Sequence, residues 1–218
     1  MNINDYIRND FNALTLENSI KDALELFKTY PVTHIPIIEK DRYIGCISQS
    51  DIIAIDHPEE TLRKQQDFLD TFQINREESI LELLQKFGNE DTNILPAVLQ
   101  QKYIGYFELN DILDILTQSP FFNSDGFILI IQKNNKEYAM SEVAQIIESN
   151  KGMLLGAYIS NHIEDKTELT LKIASQEINE IIQSFRRYKY TILTKHQDDF
   201  YLEELKNRSE YLQKFLNP

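Results

Sequence analysis

Cysteine is nearly absent from this 218-residue chain. The single Cys46 excludes an intramolecular disulfide and fits a reducing compartment. It sits in the apolar run Tyr43-Ile44-Gly45-Cys46-Ile47, with neither a cation nor a helix start before it, so a small buried residue is expected there rather than a reactive thiol. Basic residues are scarce too. The net charge is −13 and no Lys/Arg cluster interrupts it, which argues against nucleic-acid backbones and anionic lipid as partners. Arg186, Arg187 and Lys189 gather at one expected helix end, where they complement the helix dipole. No apolar run approaches the roughly 20 residues of a membrane span, and the opening MNINDYIRND lacks a signal pattern. A cytoplasmic location is the expectation. Missing as well are paired catalytic carboxylates, a nucleophile–base arrangement, a P-loop and any metal-ligand spacing around His34, His57, His162 and His196. The expectation is a non-enzyme that requires no cofactor.

What is present is a repeat. Shifted by 60 positions without gaps, Glu17, Ser19, Ile20, Leu24 and Phe27 meet Glu77, Ser79, Ile80, Leu84 and Phe87. Pro36 meets Pro96, Tyr43-Ile44-Gly45 meets Tyr103-Ile104-Gly105, Asp51-Ile52 meets Asp111-Ile112, and Ile55 meets Ile115. Each copy reads as helix, strand, turn, strand, helix. In the first, Ser19 caps a helix with apolar positions Ile20, Ala23, Leu24 and Phe27. A strand over 35–38, a polar turn at Lys40-Asp41-Arg42, a strand over 43–48 and a helix over 50–56 follow. In the second the elements fall at a helix from Ser79, strands 94–99 and 103–108, and a helix 110–117. The stretch 59–70 reads as a partly helical connection. Gly45, inside a strand, signals a close approach to its backbone. One copy cannot bury both sides of its sheet, so residues 1 to about 119 are expected to pack as one domain.

The first return strand ends Gly45-Cys46-Ile47-Ser48-Gln49-Ser50-Asp51. That places a hydroxyl and a carboxylate where a strand feeds a helix, a setting suited to a phosphate and a ribose diol. The same Ser48-x-x-Asp51 is equally a capping box that needs no ligand. His34, beside an apolar strand, has a structural or solvent-facing reading alongside that of a phosphate contact.

The doubled pattern, His34-Ile35-Pro36 with Gly45, Ser48 and Asp51, then Leu95-Pro96 with Gly105 and Asp111, resembles a tandem CBS (Bateman) module. The resemblance implies two clefts that take adenosine-containing ligands such as AMP, ADP or ATP. It implies that Asp51 holds a ribose, Ser48 a phosphate, that Thr33, His34 and Pro36 line the pocket, and that Asp111 is the ribose carboxylate of the second cleft. Glu108 stands where the second copy should carry a hydroxyl, adding like-charge repulsion. An asymmetric pair is expected, its first cleft nucleotide-competent and its second empty, adapted to a neutral nucleoside, or reliant on a cation.

After a linker at 120–126, the chain reads β (Phe127–Gln132), α (Ala139–Glu148, with Met140, Val143, Ala144 and Ile147 on one face), β (Leu154–Ile159), β (Leu169–Ile173), α (Ile178–Tyr188), β (Tyr190–Leu193). This βαββαβ order is ferredoxin-like, and after a CBS pair it resembles an ACT domain over 127–196, in the order of the acetoin-utilization protein B type. The turn Gln132 to Glu137 lacks the glycine at which ACT domains take an amino acid, so dimerisation is an equal reading. The tail 197–218 reads as a helix. The fold class expected is thus α+β: CBS domains at 1–58 and, with its linker, 59–119, then the ACT-like domain and tail. The functional expectation is a homodimeric regulatory sensor of an adenine nucleotide, with a protein target as a further partner. The rival is a ligand-free oligomerisation or partner-binding scaffold with degenerate clefts.

Overall fold

The computed structural model describes residues 3–75 and 78–194. The chain divides into two compact units, Met1–Thr117 and Gln118–Pro218.

In the first unit, a short β1 (Leu14–Thr15) precedes α1 (Ile20–Thr29), β2 (His34–Glu39), β3 (Arg42–Ser48) and α2 (Gln49–Ile53). The second repeat runs β4 (Ile74–Asn75), α3 (Ile80–Asn89), β5 (Ile94–Leu99), β6 (Lys102–Glu108) and α4 (Leu109–Thr117). α1 and α3 start in the same way. The Ser19 and Ser79 hydroxyls accept from the backbone N–H of Asp22 and Glu82, whose carboxylates accept in return from the serine N–H groups. The hairpins turn on Lys40-Asp41 and Gln100-Gln101, all four at positive φ, as a tight two-residue connection demands.

Both copies join one six-stranded sheet of order β1-β2-β3-β6-β5-β4. The sequence period is therefore a spatial pseudo-symmetry, with β3 and β6 meeting in the middle through Arg42 and Lys102. Ile20, Ala23, Ile35, Ile37, Ile47 and Ile52 form the first core, joined by Ile94 and Tyr106 from the other copy. Leu83, Phe87, Leu95, Phe107 and Ile112 form the second, with Ile3 and Ile7 packed against it. Each copy thus borrows apolar groups from the other's half, which is why neither closes its core alone.

One expectation changes here and one holds. The first return helix stops at Ile53 instead of reaching residue 56, and the connection 59–70 holds a 3₁₀ stretch, Leu62–Phe68. Cys46 is fully buried and its thiol is pushed up to about 12 by burial.

The second unit holds α5 (Pro120–Asn123), β7 (Phe127–Asn134), α6 (Met140–Ser149), β8 (Met153–Ile163), β9 (Lys166–Ala174), α7 (Ile178–Arg187) and β10 (Thr191–Ile192). Its sheet is antiparallel throughout, in the order β10-β7-β9-β8. Val143, Ile146 and Ile147 of α6 and Ile181, Ile182 and Phe185 of α7 pack on Leu129, Ile131, Leu169, Leu171 and Ile173 of the strands. Met140, expected inward, is exposed, because it opens α6 one turn ahead of the buried stripe. The stretch read as a bare linker contains α5, whose Phe121 ring lies over Gly156 and whose Phe122 carbonyl accepts from Lys172 Nζ at 2.9 Å. β7 continues through Gln132 and Lys133 to Asn134, so the following turn is shorter than expected. The tail read as a helix lies outside the described residues. No helix among the described residues is long and apolar enough to cross a membrane.

Candidate ligand-binding clefts

The two candidate sites are built from strand ends and from segments exchanged between the repeats. Arg8, ahead of the first repeat, bridges to Tyr106 in β6: its N–H donates to the Tyr106 carbonyl at 2.8 Å and the Tyr106 N–H donates back at 3.0 Å. Asp70, ahead of the second repeat, does the same to Cys46 in β3, at 2.9 and 2.7 Å. Arg8 and Asp70 are therefore structural equivalents, offset by 62 positions where the strands they pair with are offset by 60. The glycines make room for this exchange. A Cβ on Gly105 would lie 2.5 Å from the Arg8 carbonyl oxygen, and one on Gly45 would lie 2.9 Å from that of Asp70. Both glycines also have positive φ and sit beside a bulge in their hairpin.

In the first cleft, His34 and Ser48 are opposite partners at the open end of β2 and β3. Both are buried. Ser48 Oγ accepts from the Asp51 N–H at 3.1 Å, capping α2, and lies 2.8 Å from Ser50 Oγ. The cap is real but not reciprocal. The Asp51 carboxylate is exposed and makes no hydrogen bond or ion pair among the described residues. His34 Nδ1 meets Thr33 Oγ1 at 2.8 Å, while its Nε2 faces Asp70 Oδ2 at 3.4 Å and its ring stands edge-on to Phe72. Burial lowers the His34 pKa below the usual imidazole range, against the opposing pull of Asp70 and Asp51.

Thr33 is shared between His34 and the other repeat. Its N–H donates to Asn93 Oδ1 at 2.8 Å and its hydroxyl accepts from the Asn93 N–H at 3.1 Å. Positions 33 and 93 are repeat equivalents, so this reciprocal pair ties the two copies together across their pseudo-axis. Pro36 is buried opposite Cys46, beyond the two-residue ladder of β1, where its missing N–H costs no strand pairing. His34, Ser48 and Asp51 thus share one strand end, Thr33 joins His34 to Asn93 of the other repeat, and Pro36 lies inside the sheet.

The second cleft differs in charge. Arg8 Nε and Nη2 donate to the two oxygens of Asp111 at 2.5 and 2.6 Å, and Arg8 Nη1 lies 2.9 Å from Glu108. Asp10 adds a contact to Arg8 at 3.4 Å and accepts from the Tyr106 hydroxyl at 3.2 Å. The guanidinium pKa is raised, first by the hydrogen bond to Asp111. The cation at this site is a side chain of the protein itself. Arg8 and Asp70 were not singled out from the sequence, because the 62-residue offset breaks the gapless register that exposed the other equivalences.

Open clefts lie in the second unit as well. One, of about 740 Å³, is lined by the chain around Gly126, Gly152 and Ser175; another, of about 400 Å³, by Asn150, Ser184, Arg187 and Tyr188. In the latter Arg187 donates to Ser184 Oγ at 2.7 Å, and the Ser184 hydroxyl donates to Asn150 Oδ1 at 3.2 Å, so that hydroxyl and that amide oxygen are already paired.

Residues 3–57 match the family model of the CBS domain. The first repeat is a CBS domain. No curated protein matches the chain. Among solved structures, a CBS domain pair/ACT domain protein from Thermotoga maritima is 17% identical, with a TM-score of 0.48, over 54% of this chain and 98% of that one. An acetoin utilization protein from Vibrio cholerae is 18% identical, with a TM-score of 0.44, over 53% and 90%. The CBSX2 protein, solved in complex with AMP, is 21% identical, with a TM-score of 0.44, over 54% and 96%. Likeness this distant carries no argument about function, which rests on the residues themselves.

Proposed function

We propose that the chain is a non-catalytic regulatory protein whose paired CBS repeats sense an adenosine-containing ligand in the first cleft. The observation that carries this reading is the Asp51 carboxylate: exposed, without a partner among the described residues, and beside the buried Ser48 and His34 at a strand end. A carboxylate left free at a strand end can accept both hydroxyls of a ribose without first breaking a protein contact. Asp70 adds a second negative charge to the cleft. The cleft therefore favours ligands of low negative charge, with AMP binding ahead of metal-free ATP.

The second unit fits a ferredoxin-like, ACT-type domain, supported by its βαββαβ order and by the outer placement of β8 and β10. Its role in this reading is to pair two copies, so that ligand binding at the CBS repeats changes the arrangement of a homodimer. Such coupling requires different ligand affinities in the two arrangements.

One observation favours the rival scaffold reading: the polar groups of Thr33 and Asp111 are already spent within the chain. A thermal-shift series with AMP, ADP, ATP and S-adenosylmethionine, with Asp51→Ala as control, separates the two. A ligand at a hundredfold excess over its Kd adds about 2.7 kcal/mol. A shift lost in Asp51→Ala supports the sensor; no shift with any ligand supports the scaffold.

A further inference from the structure

We propose that Arg8 is the resident occupant of the second cleft, a built-in plug that excludes nucleotide and leaves the CBS pair with one working site. This rests on the nucleotide reading of the first cleft and states its stoichiometry and control.

The geometry argues it in three steps. A ribose diol would need the same Asp111 oxygens that Arg8 Nε and Nη2 already hold at 2.5 and 2.6 Å. Two parallel charge-assisted bonds outcompete two neutral hydroxyl donors for one carboxylate. Next, the two departures from the first cleft compensate one another. Where the first cleft has Ser48 and Asp70, the second has Glu108 and Arg8, which pair at 2.9 Å. The carboxylate that repels a phosphate and the cation that blocks the ribose are two halves of one ion pair. Third, Arg8 is held in place from both sides. Its backbone is bridged to Tyr106, and Asp10, next to it, takes hydrogen bonds from the Tyr106 hydroxyl on its carboxylate and the Tyr30 hydroxyl on its carbonyl.

Evicting Arg8 would strand Glu108 and Asp111, whose side chains are only 19% and 17% exposed, without their counter-charge. An anionic ligand cannot offset that loss. Eviction would also free the segment 3–10, whose Ile3 and Ile7 pack on the core of the second repeat. The plug therefore links the state of the cleft to the docking of the N-terminal segment.

Calorimetric titration with AMP tests the plug in the full chain. Wild type and Glu108→Ser are expected to bind one AMP, and Arg8→Gln/Glu108→Ser two. Two sites in Glu108→Ser alone, or a single site in the double variant, would overturn the plug. Amide hydrogen exchange without nucleotide is the independent arm. Asp111→Asn should speed exchange at the paired Arg8 and Tyr106 amides at least tenfold and leave the equivalent Asp70 and Cys46 amides unchanged. If wild type binds no AMP while Asp111→Asn shows this local loosening, the nucleotide reading of the first cleft fails and the plug stands. Unchanged exchange at Arg8 and Tyr106 sinks the plug, whatever the titrations give.

Discussion

Asp51 and Asp111 occupy equivalent positions, yet only one is available to a ligand. Asp51→Ala is expected to lower AMP affinity at least tenfold, and Asp111→Ala to leave it unchanged while lowering the melting temperature, since Arg8 then loses its best partner. The reverse pattern in calorimetry would refute the assignment of the working cleft. Gly105 tests the close approach of the exchanged segment. Gly105→Ala forces a Cβ against the Arg8 carbonyl at a positive φ and should cost on the order of 3 kcal/mol in urea unfolding. His34 sets a pH dependence. Burial depresses its pKa in the folded state, so the unfolded chain binds the proton first as pH falls below about 6.5. The contribution of His34 to stability is present above that pH and is lost as pH falls toward the depressed folded value. Melting curves at pH 7.5 and 5.5 should show a drop in wild type that is smaller in His34→Asn; equal drops would show that the loss comes from other groups.

Individual elements carry their own signals. α1 and α3 are each opened by a reciprocal capping box, which satisfies two orphan N–H groups at once. Ser19→Ala should cost about 1 kcal/mol, seen as a lower urea midpoint at unchanged slope. A changed slope would mean that the helix start also shapes the unfolded ensemble. α2 is different. It has five residues and a one-way cap from Ser48, so little of its stability is its own, and Ile52 anchors it in the core. Asp51 stands exposed in its first turn instead of folded back in a capping box.

At the scale of the whole molecule, each unit has its own apolar core, and stability is expected to be divided accordingly. Phe185 is fully buried in the second unit. Phe185→Ala should remove about 3–5 kcal/mol from that unit, lowering one calorimetric transition while AMP binding to the first unit stays as in wild type. A single transition moving as a whole would show that the units unfold together.

The repeat, the helix starts, the hairpin positions and the mixed helix–strand order were legible in the sequence by itself, because burial and capping impose local spacings that recur every 60 residues. Ser48 and Asp51 were legible as a pair for the same reason: they belong to one continuous strand–helix junction. The rest depended on tertiary structure. Thr33 reads as a pocket residue, yet its repeat equivalent Asn93 lies across a pseudo-axis that no local pattern reveals, and their hydrogen bonds claim it. Arg8 and Asp70 lie on segments exchanged between the copies, displaced two residues from the register of the strands they join. Charge acts through space rather than along the chain. Which cleft holds a free carboxylate and which a neutralised one was therefore decided only when the fold brought Arg8 to Asp111.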